Sequence, residues 1–162
     1  MHELHKKKSP LADINLQIHQ TLEEGYAVFL ERLTQLDETG ARDAFEQFRS
    51  ILDRHRMFED VRVLPCLRVG EDISPDELAR VEGDHRLIES TLEMLSSLID
   101  SIFLSAQPRR TLVTNLARLG RMQGILEHHT ERELRFVYPM LDQMGDRELI
   151  ALLAEGLLET GC

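Results

Sequence analysis

The chain has no tryptophan, only two tyrosines and two cysteines, and five prolines among 162 residues. Few aromatics and few turn formers argue against a β-sandwich or barrel, which needs many short strands and frequent turns. Cys66 and Cys162 stand alone and form no CxxC pair, which excludes zinc-ribbon and thioredoxin-like readings. Two lone thiols make no disulfide framework, so a reducing, cytoplasmic setting is expected. Apolar runs are short, and none approaches the roughly 18 residues of a membrane span. Positive charge is also scarce: 19 Lys and Arg face 29 Asp and Glu, a net charge of −10. Without a dense basic face, nucleic acid is not an expected partner. A glycine-rich phosphate loop, a G-x-S-x-G elbow and a His-Glu-x-x-His frame are all missing. The first residues, Met1 to Lys8, carry charges with no apolar segment behind them. They are no signal peptide, and residues 1–10 are expected to form a flexible leader.

What is present reads as helix. Apolar residues are 42% and charged residues 30%, the balance of a soluble globular chain with one core. From Leu11 to about Leu36, Ile14, Ile18, Leu22, Tyr26, Phe29 and Leu33 follow helical spacing. The stretch from Asp37 to Gly40 reads as a turn. A second helix is expected from about Ala41 to Val69, kinked by Pro65 and capped by Gly70. Ser74-Pro75-Asp76-Glu77 is a helix-start signal, and the third helix runs to about Ser105. Gln107-Pro108 breaks it. A fourth runs from about Arg109 to Met144 with a kink at Pro139, and Gly145-Asp146 precedes a short fifth, to about Leu158. Long helices joined by short loops predict an all-α, antiparallel up-down-up-down four-helix bundle with a short extra C-terminal helix.

Histidine carries the functional signal. His19, His55, His85 and His129 are each followed four residues later by a glutamate: Glu23, Glu59, Glu89 and Glu133. Residues i and i+4 share a helix face, so each pair aims an imidazole and a carboxylate at one point. A single such pair is ordinarily a solvated surface pair. Glutamate is about one residue in nine, so chance supplies about one pair among the histidines. Four pairs on four separate helices point instead to metal. Imidazole suits iron or zinc, and a carboxylate adds charge and can bridge two ions. Two of the pairs extend further, to His55-x3-Glu59-x5-Pro65 and His129-x3-Glu133-x5-Pro139. A lone histidine, a frame, a lone histidine and a frame read as an internal duplication offset by 66 to 74 residues. The alternative di-iron pattern of ferritin-like bundles, Glu-x-x-His twice, has one copy here, Glu82 with His85, and no second.

This arrangement resembles the hemerythrin-like, HHE cation-binding family. That family's pattern is a histidine on helix one and His-x3-Glu before a proline on helix two, repeated on helices three and four. The likeness spans about Leu11 to Met144 and gives a hemerythrin-like domain over residues 11–160. It implies that His19, His55, Glu59, His85, His129 and Glu133 hold two non-haem iron ions, oxo- or hydroxo-bridged. Two imidazoles per iron and two bridging carboxylates, with the oxygen bridge, leave a sixth position open to a small molecule. Leu22, Phe48, Ile51, Ile88, Met122 and Ile125 would wall it. The proline register selects His129 over His128, which should point off the core. Glu23 and Glu89 depart from the family pattern, and Glu89 is a possible extra ligand, an acceptor to an imidazole, or a surface residue. The implied function is binding of O2, NO or peroxide for carriage, storage or sensing. The alternative is a di-iron enzyme acting on peroxide or nitric oxide, or in repair of iron–sulfur centres. Fewer than 20 residues precede His19 and none is cysteine, which lowers the repair reading; a metal store is a third.

Overall fold

The computed structural model describes residues 10–69 and 74–161. Among these every element is helical and no strand occurs. Residues 1–9 of the expected leader, the expected cap Gly70 and Cys162 lie outside the described residues.

Helix α1 spans Pro10–Thr34. It closes where Leu36 turns left-handed, with a φ of 58°. The Asp37 and Leu36 amides then donate back to the carbonyls of Arg32 and Leu33, at 3.1 and 3.0 Å. These bonds occupy carbonyls that a helix end leaves open. Asp37 to Gly40 is not simply a turn. The Asp37 carboxylate accepts the Gly40 amide at 3.0 Å, so α2 starts at Glu38 rather than Ala41 and runs to Phe58. Tyr26 and Phe29 of α1 meet Phe48 and Phe45 of α2 with ring centroids 5.1 and 5.2 Å apart. Tilted aromatic pairs of this kind help hold the hairpin together.

The two prolines act through the helix just before them. After α2 the chain makes one π-helical turn, Glu59–Val63, in which the Leu64 amide donates to the Glu59 carbonyl. Helix α3, Leu64–Val69, follows with Pro65 in its first turn. The wider i→i+5 bond resets the ladder one residue before the amide that proline lacks. The same turn recurs at Glu133–Val137, where the Tyr138 amide donates to the Glu133 carbonyl ahead of Pro139. Each π turn therefore opens on one of the two glutamates singled out by the sequence.

Helix α4, Pro75–Phe103, is capped by Ser74, whose hydroxyl accepts the Glu77 amide at 3.2 Å. The expected fourth helix is divided. Helix α5, Pro108–Thr114, ends at Asn115, whose side-chain amide donates to the Thr111 carbonyl at 2.8 Å. Asparagine competes here with the backbone ladder. Helix α6, Leu116–Arg132, leads into the second π turn and then α7, Tyr138–Gln143. Gly145, at a φ of 72°, and the Asp146 cap start α8, Arg147–Thr160. Helix α1 packs against α2, α6, α7 and α8, while α4 packs against α6 and α2. The Tyr26 hydroxyl ties α1 to α6 by donating to the Leu119 carbonyl at 2.6 Å. No described helix is long and apolar enough to cross a membrane.

Packing within the α1–α2 hairpin outweighs this hydrogen bond between α1 and α6. Phe45→Ala is expected to cost about 3–5 kcal/mol, and Tyr26→Phe about 1 kcal/mol, read from urea midpoints. A Tyr26→Phe loss as large as that of Phe45→Ala would contradict this ranking.

Candidate metal centre

Four helical stretches bring the six sequence-selected side chains to one place. His19 comes from α1, His55 from α2, His85 from α4 and His129 from α6, while Glu59 and Glu133 open the π turns. Their exposure is 1% for His19, 0% for His55, 1% for Glu59, 2% for His85, 1% for His129 and 0% for Glu133. Each histidine lies in the apolar stripe of its helix, so the burial that builds the core also carries the imidazole inward.

All four rings turn Nε2 to the centre. His19 Nε2 lies 3.0 Å from Glu133 Oε2, and His129 Nε2 lies 2.8 Å from Glu133 Oε1. His55 Nε2 lies 3.4 Å from Glu59 Oε1, and His85 Nε2 lies 3.3 Å from Glu59 Oε2. Each carboxylate thus spans two histidines, one per oxygen. Two overlapping groups of donor atoms result, Glu59–His85–His129–Glu133 and His19–His55–Glu133, each with its atoms within 4.8 Å of one another. Both groups could hold a metal ion, and Glu133 belongs to both.

Three of the four outward ring nitrogens have a hydrogen-bond partner, and His129 Nδ1 has none. His19 Nδ1 lies 2.6 Å from the Thr130 hydroxyl, and His55 Nδ1 lies 3.3 Å from the Thr160 hydroxyl. His85 Nδ1 lies 2.6 Å from Asp60 Oδ1. Asp84 Oδ2 stands 3.9 Å from His129 Nδ1, an ion-pair distance too long for a hydrogen bond. Partners of this kind fix ring orientation, leaving Nε2 for a cation. Two neutral donors reach the carboxylates: the Tyr138 hydroxyl donates to Glu59 Oε1, and the Asn15 amide donates to Glu133 Oε2 at 2.9 Å.

The remaining inward atoms test whether a cation fits. Glu59 Oε2, Glu133 Oε1 and His85 Nε2 are buried and accept or donate no hydrogen bond. Glu133 Oε1 is close to His129 Nε2 but not aligned with it for a hydrogen bond. Leaving a buried carboxylate oxygen without a partner is costly. Carboxylate and imidazole donors crowded together, with three of their inward atoms left without hydrogen bonds, suit a divalent or trivalent transition metal.

Protein charge alone already shapes the cluster. Burial pushes the His129 imidazolium down, but Glu133, Asp84 and Glu59 outweigh it and raise its pKa to about 10. Burial likewise opposes charge on His85, and Asp60 and Glu59 raise it to about 9. His55 moves the other way, lowered chiefly by burial. Burial raises Glu133, yet the neighbouring His129 and then His19 carry it well below the usual carboxylate range. Tyr138 is raised, by burial first and then by the two glutamates, and stays a neutral donor.

The remaining candidates sort by exposure. Glu23 and Glu89 are exposed. Glu89 lies 3.8 Å from Arg56, so neither joins the cluster. His128 is exposed, as the proline register requires. Leu22, Phe48, Ile88 and Met122 are buried in the common core, with Ile51 and Ile125 packed at its edge. Sequence reasoning passed over Asn15, Asp60, Asp84, Thr130, Tyr138 and Thr160. Asn15 sits one turn before His19, and Asp60, Asp84 and Thr130 adjoin cluster residues, but their partners lie on other helices. Thr160 arrives on α8, the helix expected to be a mere appendage. No family model, no curated protein and no solved structure matches this chain.

A sign follows for proton linkage. His85 and His129, raised to about 9 and about 10, are protonated at neutral pH in protein stripped of metal. Their contribution to the stripped protein's stability is complete below the unfolded value of about 6.5 and lost as pH rises through 9 to 10. Cation binding at about pH 7.5 should therefore release about two protons per loaded chain. Calorimetric titration in buffers of different ionisation enthalpy reads this directly. No proton release at that pH would contradict the assignment.

Proposed function

We propose that this chain is a hemerythrin-like protein with a non-haem di-iron centre. In this reading His19, His55, Glu59, His85, His129 and Glu133 are the protein ligands. α1, α2 with α3, α4, and α5 to α7 form the four legs of an up-down-up-down bundle, and α8 is its C-terminal addition. The observation that carries the reading is the pair of buried donor groups joined by Glu133. Two carboxylate oxygens that face two different histidine pairs favour bridging two ions over chelating one.

Each side chain then has a task. The four imidazoles fix the positions through Nε2; Thr130, Thr160 and Asp60 hold three of them from behind by hydrogen bonds, and the Asp84 charge faces the fourth. Glu59 and Glu133 supply the only anionic donors in the six, and Tyr138 and Asn15 hold their rotamers. Bound iron would supply a redox-active position able to take a diatomic molecule or peroxide. Burial of all six donors at 2% exposure or less favours so small a ligand, because anything larger needs the helices to part. We therefore read the protein as a binder of O2, NO or peroxide, for carriage, storage or sensing. The free thiol of Cys66, among the described residues, fits a reducing, cytoplasmic setting.

Metal analysis and the optical spectrum of anaerobically reduced protein, before and after O2, test this reading. Two irons per chain with a spectral change reversed by removing O2 are expected. Rapid irreversible oxidation with turnover of added peroxide or nitric oxide would favour an enzyme instead. Glu133→Gln keeps the shape and removes the charge, and it should bind fewer than two irons or lose the diferric spectrum. His129→Ala should lower metal content and thermal stability together, since a cation bound only to the folded state stabilises it. His128→Ala should leave both unchanged. Two irons and an unaltered spectrum in Glu133→Gln would remove the bridging role.

A further inference from the structure

We infer that the two metal positions are unequal, and that the one formed by His85 and His129 binds its ion first and more tightly. This rests on the di-metal reading above, and it assigns Asp60 and Asp84 as positioning residues that set the difference.

The two halves share their bridging carboxylates and each has two imidazoles, yet their surroundings differ in three ways. The first is what stands behind the rings. His85 is backed by the Asp60 carboxylate at 2.6 Å and His129 is faced by the Asp84 carboxylate at 3.9 Å. His19 and His55 are backed by the neutral hydroxyls of Thr130 and Thr160. The Asp60 carboxylate draws the His85 Nδ1–H toward itself and makes Nε2 a stronger electron donor than a hydroxyl does, and the Asp84 charge acts on His129 across 3.9 Å without a hydrogen bond. Arg56, 3.7 Å from Asp60, and Arg132, 2.8 Å from Asp84, temper both carboxylates while holding them in place.

The second difference is competition for the carboxylate oxygens. On the His19–His55 side, Glu59 Oε1 accepts the Tyr138 hydroxyl and Glu133 Oε2 accepts the Asn15 amide. Those oxygens share their lone pairs with protein donors. On the other side, Glu59 Oε2 and Glu133 Oε1 have no hydrogen-bond partner. The third lies between the histidines themselves. His19 Nε2 and His55 Nε2 are 3.2 Å apart, within hydrogen-bond reach of each other, so an ion entering there must separate a pair already satisfied. His85 Nε2 is buried without any such partner. All three differences favour the same half.

Anaerobic titration of stripped protein with Co2+ as the only added ligand tests the inference by calorimetry and by the cobalt absorption spectrum. Two equivalents should bind in two resolved steps, the first at least about tenfold tighter. Asp60→Asn and Asp84→Asn should each weaken the first step by about 10- to 100-fold and spare the second. Thr130→Val and Thr160→Val should spare the first. Asp60→Glu, which keeps the charge, should recover part of the loss. His85→Ala should remove the tight step and leave the weak one, and His55→Ala the reverse, which assigns the steps even if an aspartate variant fails to fold. Two equal steps in the unaltered protein, or a tight step that survives His85→Ala, would overturn the inequality and leave the di-metal reading standing. Binding of fewer than two equivalents by the unaltered protein would overturn the di-metal reading and the inequality with it.

Discussion

Two carboxylates, Glu59 and Glu133, sit at the centre of the helical core with almost no access to water. Everything around them answers to that constraint. Moving a carboxylate out of water costs several kcal/mol after relaxation, and it is tolerated only where opposite charge and hydrogen bonds meet it. Four imidazoles, a phenol and an amide surround the pair. Even so, one oxygen of each carboxylate has no hydrogen bond. Protonating His85 and His129 supplies positive charge in the absence of an ion, and a bound cation supplies it with more suitable geometry. The same groups therefore bear on the stability of the fold and form the candidate metal site.

The helices are shaped to deliver this cluster. Each glutamate is the first residue of a π turn whose carbonyl bonds five residues on, just before a proline. The turn adds one residue to the helical repeat, so the chain after the glutamate presents a rotated face. That rotation buries Val63 and Val137 beyond the site. It also accompanies the opposed roles of the neighbours Asp60 and Tyr138, one behind His85 and the other on Glu59. Helix α1 lies against α2, α6, α7 and α8, which explains how residues so distant in sequence as Asn15 and Glu133, or Thr130 and His19, come into hydrogen-bond contact.

Much of this was legible in one dimension because helix periodicity is local. The histidine–glutamate spacing, the paired prolines and the caps at Ser74 and Asp146 each depend on residues within one or two turns. His129 could be chosen over His128 because the proline ten residues on marks the face. What the sequence concealed depends on rotation and on other helices. Pro65 and Pro139 read as kinks, since a proline indicates that a ladder must adjust but not how, and the adjustment is a π turn upstream. Asn115 read as an ordinary helical residue, although its side chain bonds the Thr111 carbonyl and divides the helix. Glu23 and Glu89 shared the spacing of Glu59 and Glu133 but face outward, because i+4 brings a residue only near the face of its partner. The groups behind the histidines were invisible because they lie on other helices: Asp60 bonds a ring on α4, Thr160 bonds one on α2, and Asp84 faces one on α6.

The central claim is that two cations lie between these four histidines, with Glu59 and Glu133 joining them. Anomalous X-ray diffraction at the iron edge, on crystals of the iron-loaded protein, addresses it most directly. The account predicts two iron peaks per chain, one beside Nε2 of His19 and His55 and one beside Nε2 of His85 and His129, with both glutamates between them. A single peak, peaks at surface carboxylates such as Glu23 or Glu89, or no iron within the cluster would contradict it.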